Sequence, residues 1–241
     1  MIERLEVVAV TPAGCAPLAG PLAAFSFADR AAYLSYGAEV TQILARRGAR
    51  ILATGEHRAT FEAPSGDPAT GGAYVHQEFA VPLYPSADTF LDMLASPEFQ
   101  AIVPRQQAGA RQDDYVFGFQ KCIVGCDSCA IAVATDDAPL LLHVFRFAGA
   151  DLEGAIRALA AARDAPEMVC GGRLVARFRA VVGGVNVNGQ NLPWGEGTVV
   201  FRVGSESAAR DWIESRAYRG FRRDTAEDVL VLLGSTGRKR G

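Results

Sequence analysis

Apolar residues recur at three- and four-residue intervals in two stretches that share one pattern, Ser86 to Gln100 and Ser205 to Arg219. Met93 and Leu94 of the first stand where Trp212 and Ile213 stand in the second, Phe99 where Tyr218 stands, and Ile102, just beyond, where Phe221 stands. Helical spacing of this kind predicts two helices with the same buried stripe. Its recurrence along one chain points to an internal duplication.

The pattern around these helices predicts the rest. Leu5 to Val10 and Leu22 to Phe27 read as strands. Asp29 caps a helix over Arg30 to Arg47, in which Tyr33, Tyr36, Val40, Ile43 and Leu44 form the apolar stripe, and Gly48 stops it. Arg50 to Phe61 is extended, residues 63–72 hold two prolines and three glycines and form a loop, and Tyr74 to Tyr84 is the next strand. The first repeated helix follows, and Asp114 to Val124 closes the half. The second half has the same order: strand Leu140 to Phe147, helix Asp151 to Arg163, strand Glu167 to Val182, a glycine- and asparagine-rich turn at 183–189, strand Gly197 to Val203, the second repeated helix and strand Val229 to Gly234. Phe25 and Phe27 match Phe145 and Phe147, and Gly55 matches Gly172.

The order β-α-β-β-α-β, read twice, is that of two ferredoxin-like units, residues 1–129 and 130–241. Such a sheet carries its helices on one face and needs a cover for the other. Two sheets in one chain cover each other, so the expected fold is α+β, an intramolecular, pseudo-dimeric α/β barrel.

Two phrases carry a family resemblance. Asp29-Arg-Ala-Ala-Tyr33-Leu-Ser-Tyr36-Gly, with Ile43-Leu-Ala-Arg-Arg-Gly48 after it, and Tyr84-Pro-Ser-Ala-Asp-Thr-Phe-Leu-Asp-Met-Leu-Ala-Ser96-Pro-Glu-Phe99-Gln, resemble an uncharacterised family of the dimeric α/β-barrel superfamily. The second half resembles it more loosely, with Ser215-Arg-Ala-Tyr218 in place of a Ser-Pro-Glu-Tyr phrase. The resemblance implies the barrel fold. The wider superfamily includes cofactor-independent oxygenases, lactone isomerases, polyketide cyclases and haem-binding enzymes, and it carries no agreed catalytic residues to this chain.

Composition narrows the classes. With 49% hydrophobic and 21% charged residues and a net charge of −3 the chain is globular, without the broad basic surface of a nucleic-acid partner. No run of eighteen apolar residues crosses a membrane, and Met1-Ile-Glu-Arg-Leu-Glu is not a secretory signal, so a cytoplasmic address is expected. Five cysteines, an odd number, favour free thiols.

Alternation along Tyr74 to Tyr84 sets Val75, Phe79, Val81 and Leu83 on one face and Tyr74, His76 and Glu78 on the other. The apolar set is expected against the helices, which leaves the trio facing the barrel. There His76 would act as general base, Glu78 would orient it and Tyr74 would donate a hydrogen bond; a polar strand end is the alternative. Arg173 and Arg177 share one side of their strand and could hold a carboxylate or phosphate, or could simply keep an edge charged. His143 joins them as a substrate-binding candidate, with a hydrogen-bonded core histidine as its other reading.

Cys122, Cys126 and Cys129 form C-x3-C-x2-C between the halves. A zinc site there needs a fourth ligand from Cys15, Cys170 or a histidine. Haem would have only His57, His76 or His143 as imidazole ligands. No G-x-G-x-x-G follows a strand and opens a helix, which argues against a nucleotide cofactor. The expectation is an oxygenase- or isomerase-like enzyme acting on a small organic molecule without a cofactor, in a chain that could pair as a homodimer. The alternative is a noncatalytic protein binding zinc, another thiolate-held metal, or haem.

Overall fold

The structure, a computed structural model, describes residues 22–62, 77–116, 118–122, 138–177 and 197–234. The expected strand Leu5 to Val10 and the loops at 63–72 and 183–189 lie outside the described residues.

Strand β1 (Leu22–Phe27) turns into helix α1 (Arg30–Arg46). Asp29 caps α1 with extended backbone, its carboxylate accepting from the N–H groups of Ala31 and Ala32. That satisfies two orphan donors, and such a cap contributes about 1 kcal/mol. At the other end Gly48 takes φ 70°, its N–H donates to the Ala45 carbonyl, and the Ala49 N–H donates to Leu44. This is the glycine-terminated ending in which a side chain would be strained.

Strands β2 (Arg50–Glu62) and β3 (Glu78–Leu83) follow, then α2 (Ala87–Ala95), α3 (Pro97–Gln100), α4 (Val103–Gly109), β4 (Ala110–Val116) and β5 (Gly118–Cys122). The second half contains β6 (Leu140–Phe147), α5 (Leu152–Ala160), β7 (Glu167–Arg177), β8 (Gly197–Arg202), α6 (Glu206–Glu214), α7 (Arg216–Arg222) and β9 (Thr225–Gly234).

Each repeated helix is broken in two, which the apolar stripe did not foretell. Ser96 ends α2 and caps α3, its hydroxyl accepting from the Phe99 N–H; Ser215 ends α6 and caps α7, accepting from Tyr218. Pro97 explains the first break, because the residue before proline avoids the helical region. The second has no proline, so the serine cap alone suffices to turn the chain there. Glu98 on α3 ties back to the end of α1 through Arg47 (2.9 Å) and Arg46 (3.0 Å), and these guanidinium groups hold its carboxyl below the ordinary range.

Among the described residues nine strands form one antiparallel sheet, in the order β4-β1-β3-β2-β9-β6-β8-β7-β5. Each half contributes the same internal order: its fourth strand beside its first, then its third, then its second. Laid flat, nine strands at about 4.8 Å spacing would separate the two edges by about 38 Å. Yet β4 on one edge ends at Val116 and β5 on the other begins at Gly118, two peptide units that span at most about 7.6 Å. The sheet must therefore curl until its edges meet, which makes it barrel-like.

The two joints between the halves are both irregular in register. On β2 and β9, three steps from His57 to Thr60 answer two steps from Leu233 to Val231. On β7 and β5, three steps from Leu174 to Arg177 answer two from Gln120 to Gly118. A further residue is inserted on β2 between Thr60 and Glu62, and insertions of this kind bend a strand and increase its twist.

Helices cover one face of the sheet. In the first half Tyr33, Tyr36, Ile43, Leu44, Met93, Phe99 and Ile102 pack there with Tyr84 and Ala80; in the second, Leu141, Phe145, Val199, Phe201, Trp212, Tyr218 and Phe221 pack together. The other face is buried too. Phe79, Leu142, Val144, Val200 and Val231 are almost fully buried and belong to neither helix-side cluster. The curled sheet encloses them itself. Among the described residues no helix is long and apolar enough to cross a membrane.

The β2–β9 joint depends on a close approach. A Cβ on Gly55 would stand 2.5 Å from the Leu233 Cβ and 3.0 Å from the Gly234 carbonyl oxygen. Gly55→Ala should therefore lower stability by about 1–3 kcal/mol. Gly220, on α7, has no atom within 4 Å of that position, so Gly220→Ala should raise stability by about 0.5–1 kcal/mol. Urea unfolding midpoints of the two variants check this contrast, and a neutral Gly55→Ala would contradict the close joint.

Candidate active site

The face on which the side chains of β3 project decides where its chemistry lies. Ala80 and Tyr84 pack among the helix residues, so Glu78, in step with them, lies on the helix side, while Phe79 is enclosed by the curled sheet. This reverses the orientation expected from the sequence, which put Phe79 against the helices and Glu78 inside the barrel. The physical reason is that both faces of the sheet are buried. Hydrophobic alternation separates inside from outside only when one face meets water.

Glu78 is the first residue of β3 and only 1% exposed. It stands in register with Phe25 on β1 and with Glu56 on β2. Gln77, just before it, accepts the Phe27 N–H through its side-chain oxygen at 2.8 Å, and its backbone carbonyl accepts from His57. Arg30, the first residue of α1, pairs with Glu56. Tyr33 lies edge-on to Phe27 at 5.3 Å and to Tyr36 at 5.5 Å. The helix side of the first half thus carries a buried carboxyl group at the start of β3 and a run of edge-on aromatic rings on β1 and α1. Farther along, the Tyr84 hydroxyl donates to the Met93 sulfur at 3.9 Å, and burial pushes its phenol well above the ordinary range.

The second-half cleft has different chemistry. His143, on β6, is fully buried, with Nδ1 2.8 Å from the Tyr218 hydroxyl of α7. Its ring lies 4.8 Å from Phe145 and 6.0 Å from Phe221. Leu141 and Phe145 flank it on the same face, so His143 belongs to the helix side. The Trp212 indole N–H in the same cluster is buried, with no acceptor among the described residues. Of the two sequence readings of His143, the geometry matches a hydrogen-bonded core histidine.

The remaining candidates are placed only by backbone. Arg173 pairs in register with Lys121 and Gly197, Arg177 with Gly118, and Cys122, the last residue of β5, with Gly172. Tyr74, His76, Cys126 and Cys129 lie outside the described residues. His57 directs Nε2 to the Thr60 hydroxyl at 2.7 Å. Among the described residues no group of three or more histidine, cysteine, aspartate or glutamate side chains could hold a metal ion. Glu56 and Tyr218 were not singled out from the sequence. Glu56 gains its position only through the pairing of β2 with β3, and Tyr218 stood in the helix stripe as an apolar residue.

An α+β sheet curled into a barrel-like shape, with helices on its outer face, is the class that these features define. Within it, residues 22–117 match the family model described as a domain of unknown function, DUF1330. Two solved structures share the fold over nearly the whole chain. One, from Lactobacillus acidophilus and provisionally named a monooxygenase, is 11% identical, covers 90% of this chain and 93% of its own, and superposes with a TM-score of 0.51. The other, from Fusobacterium nucleatum and named in the same provisional way, is 7% identical, covers 91% and 92%, and gives a TM-score of 0.55. No curated protein matches the chain in sequence.

The Tyr218–His143 bond should matter to the second half. Replacing Tyr218 by Phe removes the hydroxyl from a buried imidazole nitrogen and should cost about 1–3 kcal/mol. Combined with His143→Leu the losses should be less than additive by at least about 0.5 kcal/mol. Strict additivity in a double-mutant cycle of unfolding free energies would contradict the contact.

Proposed function

We propose that this chain is an enzyme acting on a small organic molecule without a nucleotide cofactor, in the manner of an oxygenase or isomerase, and that the first-half cleft is its working site. The observation that carries this reading is Glu78. Moving a carboxyl group from water into an apolar layer costs several kcal/mol unless partners compensate, and packing alone would have been served by an apolar residue. The strand that begins the corresponding hairpin of the second half, β8, starts instead with Gly197. A buried acid on a face shared with aromatic residues is a functional candidate on physical grounds. The fold shared with two proteins provisionally named monooxygenases is consistent with it.

In this reading His76 and Tyr74, two and four residues before Glu78, complete the set. His76 removes a proton from carbon, Tyr74 donates a hydrogen bond, and Glu78 acts beside them. The first step is common to both reaction types: a C–H bond breaks, its proton passes to the imidazole, and its electron pair spreads into the substrate. Molecular oxygen then takes up those electrons in an oxygenase, whereas an isomerase returns the proton at another carbon. The two halves, with a boundary at 129/130, arose by tandem duplication, and only one kept this site.

Oxygen uptake and, under anaerobic conditions, deuterium exchange into a panel of enolisable ketones and hydroxylated aromatics would test the reading. His76→Ala should lower either rate by about 10²–10⁴-fold while the circular dichroism spectrum stays unchanged. A rate equal to that of the parent protein would remove His76 from the mechanism.

A further inference from the structure

We propose that Cys122 of β5 and Cys170 of β7 form a two-thiolate site for a soft metal ion of the Cu(I) class, set on the enclosed face of the sheet across the second joint between the halves.

The register brings the two cysteines together. Gln120, Lys121 and Cys122 of β5 stand opposite Leu174, Arg173 and Gly172 of β7 with no step between them. Cys170 lies two residues from Gly172 on the same strand. That stretch of β7 is regular, since Cys170, Gly171 and Gly172 stand opposite Val200, Val199 and Thr198 of β8, and the irregularity of this pair lies before Cys170. Cys122, Gly172 and Cys170 therefore share one face of the sheet.

The strand β8 shows which face it is. Val199 and Phe201 pack with the helix-side residues, whereas Val200 is buried and belongs to neither helix-side cluster. Cys170 is directly opposed to Val200 and so lies with it on the enclosed face. Leu142 and Val144, on β6, stand opposite Val200 and Thr198 and continue that face. An apolar layer of this kind suits an ion whose ligands are thiolates rather than one that keeps water and oxygen ligands.

Spacing favours a metal ion over a disulfide. Cys122 and Cys170 are diagonal neighbours, and such residues have Cα atoms about 7–8 Å apart. A disulfide usually joins Cα atoms about 4.4–6.8 Å apart through sulfurs about 2 Å apart. Two thiolates on one ion, each about 2.3 Å from it, can stand as far as about 4.6 Å from each other, which takes up the wider span. Gly172, directly opposite Cys122, places no side chain between the two.

From the sequence, Cys170 was one of several possible partners for the C-x3-C-x2-C run; the pairing of β5 with β7 selects it. Cys126 and Cys129 lie outside the described residues, and Cu(I), which thiolates select, can be held by two of them. Because β5 belongs to the first half and β7 to the second, a bound ion ties the halves together and stabilises the closed sheet in step with its affinity. The site lies on the opposite face of the sheet from Glu78 and is independent of the catalytic reading.

Titration of the full, reduced chain with Cu(I) held by the chelator bicinchoninate, in the absence of air, reads the site by competition. The parent protein should take up one ion per chain and unfold at a higher temperature when loaded. Cys170→Ala and Cys122→Ala should each weaken uptake by more than about 100-fold, the upper end of what loss of a group that merely supports a ligand costs. Cys15→Ser should leave uptake unchanged. Cys122→Ala, at the end of β5, is the deciding variant if Cys170→Ala does not fold. No uptake by the parent chain, uptake that survives either alanine variant, or uptake lost with Cys15→Ser would each overturn the proposal.

Discussion

Among the described residues seven of the nine strands have a neighbour on both sides, and the near-continuity of the other two, β4 and β5, shapes the rest. An exposed edge leaves a row of unpaired N–H and C=O groups, which either recruits another chain or must be covered. Here the end of β2 pairs with β9, and the end of the β4–β5 segment crosses over to β7. Because β4 and β5 are nearly continuous in the chain yet lie at opposite ends of the strand order, the sheet has no freedom to stay flat. Gly55 exists at one of these joints because the Leu233 side chain occupies the space that a larger residue would need.

Closure of the sheet sends the chemistry of the two clefts outward. The enclosed face is filled by Phe79, Leu142, Val144, Val200 and Val231, and the described polar groups of interest stand under the helices instead. The two clefts share a backbone plan and differ in content: a buried carboxyl opposite a second carboxyl in one, an imidazole bonded to a phenol among aromatic rings in the other. The joints also interlock the halves. Phe61, near the end of β2, lies under Arg210 of α6 at 5.1 Å, and Glu62 pairs with Arg222 of α7 at 3.0 Å. A strand of the first half thus helps to roof the second-half cleft, so strain in one half is felt in the other.

Much of the fold was legible in the sequence because it rests on local signals. Asp29 and Gly48 bracket α1 as capping chemistry requires, and Ser86 and Ser205 start the repeated helices with hydroxyl caps. Phe27 and Phe147 both lie at the end of the first strand of their half and pack with the helix-side residues there. Strand starts were less legible. β4 begins at Ala110 and β9 at Thr225, earlier than their apolar runs suggest, since both leave a helix directly. The site was the least legible part. Alternation located Glu78 on a strand face but not on which side of the sheet, because both sides are apolar, and its partner Glu56 is set by a pairing between strands that no local pattern records.

The account depends most directly on the sheet being closed through both joints. Backbone nuclear Overhauser contacts on a uniformly labelled sample report each joint separately. The structure predicts cross-strand contacts between His57 and Leu233 at one joint and between Lys121 and Arg173 at the other. Finding the first set without the second would mean an open sheet and would contradict the account.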